Sequence, residues 1–136
     1  MKRLTYLALL LLTSLALAQT ASRVLNQPLP IAGAAVIKTP EERVLRALAV
    51  TEGRRCQFSE GWSFAKAATA GEYSKLIEGF NEAIQKAGWR LESKGNLSQG
   101  GSNVEAFKLT GTRGELVLGY WLLAGGQSQL LWCRLG

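Results

Sequence analysis

The chain has 136 residues, with 16 lysines and arginines against 10 acidic residues, all of them glutamate, and it contains no histidine and no aspartate. That composition excludes Ser-His-Asp and Cys-His catalysis, His-ligated zinc and Asp-based magnesium sites. A Glu-dependent glycan hydrolase stays open, because two glutamates suffice for glycosidase chemistry, but most glutamates here sit beside Lys or Arg in the pattern of a solvated surface.

The first element is a leader. Residues 1–20, "MKRLTYLALLLLTSLALAQT", start with a basic tip at Lys2 and Arg3, continue in an apolar run and end in Ala16-Leu17-Ala18, a small-x-small cleavage pattern. The run is about 14 residues, short of the roughly 20 a spanning helix needs. Residues 1–18 therefore read as a cleaved secretory signal peptide, and the mature chain has no transmembrane segment. No cysteine follows the cleavage point, which argues against a lipid anchor. The expected location is secreted or periplasmic.

Export decides the chemistry of the two cysteines, Cys56 and Cys133. Outside the cytoplasm a lone pair of thiols in a small domain forms a structural disulfide. There is no CxxC redox motif, and two cysteines without histidine make a poor metal site, so neither metal nor cofactor is expected. Loss of Lys2 and Arg3 with the leader leaves 14 basic against 10 acidic side chains. That mild excess favours anionic surfaces without marking a nucleic-acid binder.

Residues 19–38 carry two prolines and no clean period, and read as an extended arm or linker with one short strand near 34–37. A single domain then fills 39–136. Thr39, Pro40 and Glu42 form a helix-start signature ahead of Val44, Leu45 and Leu48, predicting a short helix that ends near Glu52-Gly53. A strand over 44–51 stays open, since Val44, Arg46 and Leu48 also alternate. "RRCQFSEGWSFAKA" predicts a strand bent or bulged at Gly61, with Cys56 and Phe58 on one face.

The strongest element follows. Thr69 and Glu72 make a capping box, and Tyr73, Leu76, Ile77, Phe80, Ile84 and Ala87 form one apolar stripe. Gly88 supplies the left-handed C-terminal residue, with Trp89 packing back on the last turn. "WRLES" alternates as a strand, and "KGNLSQGGSN" reads as a glycine-rich loop that lacks the glycine order of a phosphate loop. "VEAFKLT", "ELVLGYWLL" and "SQLLWCRL" are three further strands, joined by "GTRG" and "AGGQ" into an antiparallel meander. The two GW steps, at Gly61-Trp62 and Gly88-Trp89, are too little to make a repeat.

The fold class is α+β: an antiparallel sheet of about five strands, in the order strand-helix-strand-strand-strand-strand, with one long amphipathic helix packed on it and a shorter N-terminal helix. A Cys56–Cys133 bond requires the first long strand to neighbour the last or lie over it. The final two strands are apolar on both faces, so the sheet's second face needs cover, from the short helix, the arm, another subunit or a ligand.

Beside the cysteines, Arg54, Arg55 and Arg134 gather with Trp132 into a candidate anion-binding patch. The plainer reading is arginine stacked on tryptophan at a solvated rim. The leading functional expectation is a non-catalytic exported binding or adaptor module for another envelope or extracellular macromolecule. Nucleic-acid or anionic-polymer binding through the Arg/Trp patch comes second, and the glycan hydrolase third.

Overall fold

The computed structural model describes residues 21–31, 33–65, 69–97, 103–124 and 127–136. The expected signal peptide at 1–18, residues 98–102 of the expected glycine-rich loop and residues 125–126 of the expected last turn lie outside the described residues.

Ten elements follow one another along the chain. Strands β1 (Ala21–Ser22), β2 (Gln27–Pro28) and β3 (Ala35–Val36) precede helix α1 (Arg43–Thr51) and strand β4 (Cys56–Phe64). Helix α2 (Ala70–Lys86) is followed by β5 (Arg90–Asn96), β6 (Asn103–Thr110), β7 (Leu116–Ala124) and β8 (Gln127–Leu135). Strands β1 and β2 form a small hairpin; the other six make one antiparallel sheet in the order β3-β4-β8-β7-β6-β5. The architecture is thus mixed α+β, with the two-residue β3 added to the five long strands that the alternation predicts.

Helix α2 forms where its local signals are densest. The Thr69 hydroxyl accepts from the Glu72 amide at 3.3 Å and donates to the Glu72 carboxylate at 2.8 Å. At the other end Gly88 takes a φ of +96°, and the amides of Gly88 and Trp89 close on the carbonyls of Gln85 and Ile84. That double closure is a Schellman ending, and Trp89 is buried behind it. Of the predicted stripe, Tyr73, Phe80 and Ile84 are buried and Ala87 is exposed at the cap.

Phe80 sits at the centre of the α2 face with no exposure. Its ring meets Trp121 edge-on at 5.0 Å, Trp132 at 5.7 Å and Phe107 at 6.0 Å. Gly119 makes room for this cluster. Its cross-strand neighbours are Phe107 on β6 and Trp132 on β8, and a Cβ there would come within 2.5 Å of the Phe107 ring.

The opposite sheet face is covered from within by α1. Leu45 and Ala49 pack on a layer that includes Leu118, Tyr120, Leu131 and Cys133. The 44–51 segment is therefore helical. It begins at Arg43, later than the capping signature suggested: Glu42 is the N-cap and makes no capping hydrogen bond with its side chain. Instead the Glu42 carboxylate accepts from the Ser59 hydroxyl at 2.5 Å and from Arg46 at 3.0 Å, so one tertiary partner and one from the next turn of α1 take the atoms that would have closed a capping box. At the far end Glu52 is shared by Lys94 at 2.8 Å and Lys108 at 3.3 Å, which ties α1 to β5 and β6. Among the described residues no helix is long and apolar enough to cross a membrane.

The arm is part of the core. Val24, Leu25 and Leu29 are buried on the α2 side of the sheet. Glu60 holds the arm there. Its carboxylate accepts from the Ser22 hydroxyl at 2.8 Å, the Val24 amide at 2.9 Å and the Arg23 amide. The indole N–H groups of Trp132 and Trp62 donate to the same carboxylate at 3.0 and 3.2 Å.

Two irregularities differ from expectation. The β4 bulge falls between Cys56 and Phe58, while Gly61 sits in regular register opposite Leu131. Gly61 instead lies under the chain ahead of α1: a Cβ there would stand 3.0 Å from the Pro40 side chain and 3.2 Å from that of Ile37, a tight fit. The bulge turns Cys56 to the α1 side while Phe58 packs on the α2 side, so the two do not share a face. Similarly, β5 runs on to Asn96 through a second bulge between Ser93 and Gly95.

Strand β4 pairs with β8, and Cys56 and Cys133 are disulfide-bonded with their Cα atoms 5.5 Å apart. Because the bond closes a 77-residue separation, replacing both cysteines with alanine lowers unfolding free energy on the order of 2–4 kcal/mol. Phe80→Ala costs about 3–5 kcal/mol, whereas Val50→Ala, at a side chain 75% exposed, changes stability by less than about 0.5 kcal/mol. Urea unfolding of the three variants checks this ordering.

Candidate functional site

Helix α1 ends in the same kind of reversal as α2. Gly53 adopts a φ of +66°, and the amides of Gly53 and Arg54 close on the carbonyls of Val50 and Ala49. The reversal sends Arg54 and Arg55 back past the end of α1 toward Cys56. Cationic side chains just beyond a helix C-terminus are favoured by its dipole.

Between α1 and the start of β4 lies a groove of about 360 Å³. Arg46, Arg54 and Arg55 line it together with Val50, Gln57 and Ser59. Arg46 is engaged by Glu42 at 3.0 Å. Arg54 and Arg55 are exposed and take part in none of the ion pairs among the described residues. The groove therefore presents two unpaired guanidinium groups beside an apolar wall that includes the exposed Val50. The Glu42 carboxylate lies among these cations; hydrogen bonding from Ser59, then Arg46, holds its pKa below the usual value.

The structure divides the four residues of the predicted patch. Arg54 and Arg55 are together at the groove. Trp132 is completely buried, its indole N–H on Glu60. Arg134 lies on the Trp132 side of the sheet, where its Nε and Nη2 donate to the Val24 carbonyl at 3.0 and 2.8 Å. Its guanidinium also stands 6.0 Å from the Trp89 ring centre. Arg134 thus fastens the arm and does not share a surface with Arg54 and Arg55. The alternation of β8 correctly places Arg134 beside Trp132. What it cannot show is that the bulge after Cys56 lets the chain leave the strand on the α1 side.

Arg46 joins the groove without having been singled out in the sequence. Its signal was its position on α1, two turns ahead of Gly53, but only a helical reading of 44–51 makes that visible. Most other glutamates are occupied structurally: Glu41, Glu42, Glu52, Glu82 and Glu92 are ion-paired, and Glu60 is filled by N–H and O–H donors. Among the described residues, no group of three or more Cys, Asp, Glu or His side chains could hold a metal ion. No family model, curated protein or solved structure matches the chain.

The arrangement around Glu42 has a pH consequence. Its folded pKa is depressed, so its contribution is complete above the ordinary carboxylate pKa and is lost as pH falls through the lower folded value. Urea unfolding between pH 7 and 3 should show a shallower acid loss for Glu42→Gln than for the parent protein. Equal acid limbs would mean that the Ser59 and Arg46 contacts do not distinguish folded from unfolded protein.

Proposed function

We propose that the protein is an exported, non-catalytic binding module of the cell envelope that engages an anionic partner through the groove between α1 and β4. The observation that carries this reading is the pair Arg54 and Arg55, exposed and outside every ion pair among the described residues, beside Val50. Guanidinium groups bind carboxylates and phosphates through paired N–H donors, and an adjacent apolar wall suits a macromolecular partner better than a free ion. The Cys56–Cys133 bond supports placement in an oxidising compartment. It also fixes the chain directly after Arg55, which limits the entropy lost when the arginines are immobilised.

An acidic protein surface is the first choice of partner and a nucleic acid the second. The two differ in charge density, and phosphate contacts along a nucleic acid release condensed counterions. Binding of labelled poly-L-glutamate and of a single-stranded oligonucleotide, measured by anisotropy at 50 and 200 mM salt, separates them. Poly-L-glutamate is expected to bind, with affinity falling as salt rises and by about tenfold in the Arg54→Ala/Arg55→Ala variant. Preference for the oligonucleotide would move the assignment to the second partner class. Binding that ignores both salt and the double substitution would refute the groove as the site.

A further inference from the structure

A second cleft lies on the other face of the sheet, between α2 and the β5–β6 edge, with a volume of about 330 Å³. Its walls are apolar and aromatic: Ile77 from α2, Leu91 from β5 and Trp121 from β7. Asn81, Ser93 and Glu105 add polar groups. Glu105 is half-buried at this cleft, and none of the ion pairs among the described residues includes it. The nearby lysines on β5 and β6, Lys94 and Lys108, turn to the α1 face, where Glu52 and Glu92 engage them. Glu105 projects instead to the α2 side of its strand, the face that also carries Phe107 and Leu109.

A second observation points to the same place. The Tyr73 hydroxyl, one helical turn before Ile77, is buried and has no hydrogen-bond partner among the described residues. Buried hydroxyls are normally satisfied. The Glu105 charge acts on this hydroxyl, and with burial, the larger influence, it raises the phenol's pKa. Tyr73 lies behind the cleft and does not line it; the cleft itself sets an uncompensated carboxylate against an indole and aliphatic wall, an environment for an organic cation in which the carboxylate supplies the counter-charge and the walls cover the stem.

We propose that this cleft binds a primary ammonium group carried on an alkyl stem, with Glu105 as its counter-ion and Trp121, Ile77 and Leu91 as its apolar walls. The site is independent of the arginine groove, which lies on the opposite face and has the opposite charge. The alkylammonium group belongs to a free diamine or to a lysine side chain of a partner.

The test is an NMR titration of the mature, disulfide-bonded chain with cadaverine, with trilysine and with 1,5-pentanediol, a neutral analogue of the diamine. The expected result is saturable shifts of the Trp121 indole N–H and of the Asn81, Ser93 and Glu105 amides with an ammonium probe, at a dissociation constant of about 1 mM. Tighter binding of cadaverine assigns a free amine, and tighter binding of trilysine assigns a lysine side chain. Glu105→Gln should weaken binding about fivefold. Asn81→Ala, on α2, gives a second variant for the same cleft should Glu105→Gln fail to fold, with weaker ammonium binding again expected. An equal response to pentanediol, shifts that do not saturate, or full affinity in both folded variants would overturn the proposal.

Discussion

The pairing of β4 with β8 is the constraint on which the other features of the domain rest. It joins the first long strand to the last across more than half the chain, in a register that runs from Cys56 opposite Leu135 to Phe64 opposite Ser128. Hydrogen bonds alone would have to recover the entropy of closing that loop. The Cys56–Cys133 bond removes much of that cost from the unfolded state. With β8 held in this position, β7, β6 and β5 follow outward as a meander.

The same pairing organises both faces. On the α2 side it sets Glu60 directly opposite Trp132, with Trp62 two residues along. One carboxylate then receives two indole N–H groups and the backbone of the arm, while Arg134 fastens the Val24 carbonyl. The arm in turn covers apolar surface that α2 leaves open. On the α1 side the bulge after Cys56 brings the disulfide under α1. The chain between Gly53 and Cys56 is thereby fixed, which is why Arg54 and Arg55 stand beside Arg46 instead of beside Arg134.

What could be read from the sequence was local. The stripe from Tyr73 to Ile84, the Gly88-Trp89 ending and the last three strand runs with the short turns between them are each local signals, and each appears in the fold. The cysteine pair added one long-range contact, because only two cysteines were available. The rest required knowledge of cross-strand partners. Nothing near Gln57 marks a bulge, since one extra residue is defined only by what lies opposite it. Nothing beside Glu60 in the sequence shows that Trp132 lies opposite it, and the arm's apolar residues show no period because a turn at Asn26, with a φ of 57°, separates their two short strands. Of the predicted patch, Arg54 and Arg55 lie together because they adjoin in sequence. Trp132 and Arg134 lie on the α2 face by the plain alternation of β8, and the β4 bulge before Phe58 is what parts Arg54 and Arg55 from them.

The proposed function follows from two adjacent, exposed guanidinium groups set at a groove beside an apolar side chain. Glu42, Glu52 and Glu60 are each coupled to nearby cations or N–H donors, whereas Arg54 and Arg55 stand at the groove outside the ion pairs of the described residues. The most direct test is native mass spectrometry of the protein recovered gently from the cells that make it, compared with an Arg54→Glu/Arg55→Glu variant recovered in the same way. The account predicts a disulfide-bonded chain carrying an acidic macromolecular partner that is absent from the variant. A bare monomer in both preparations, or the same partner retained by both, would contradict it.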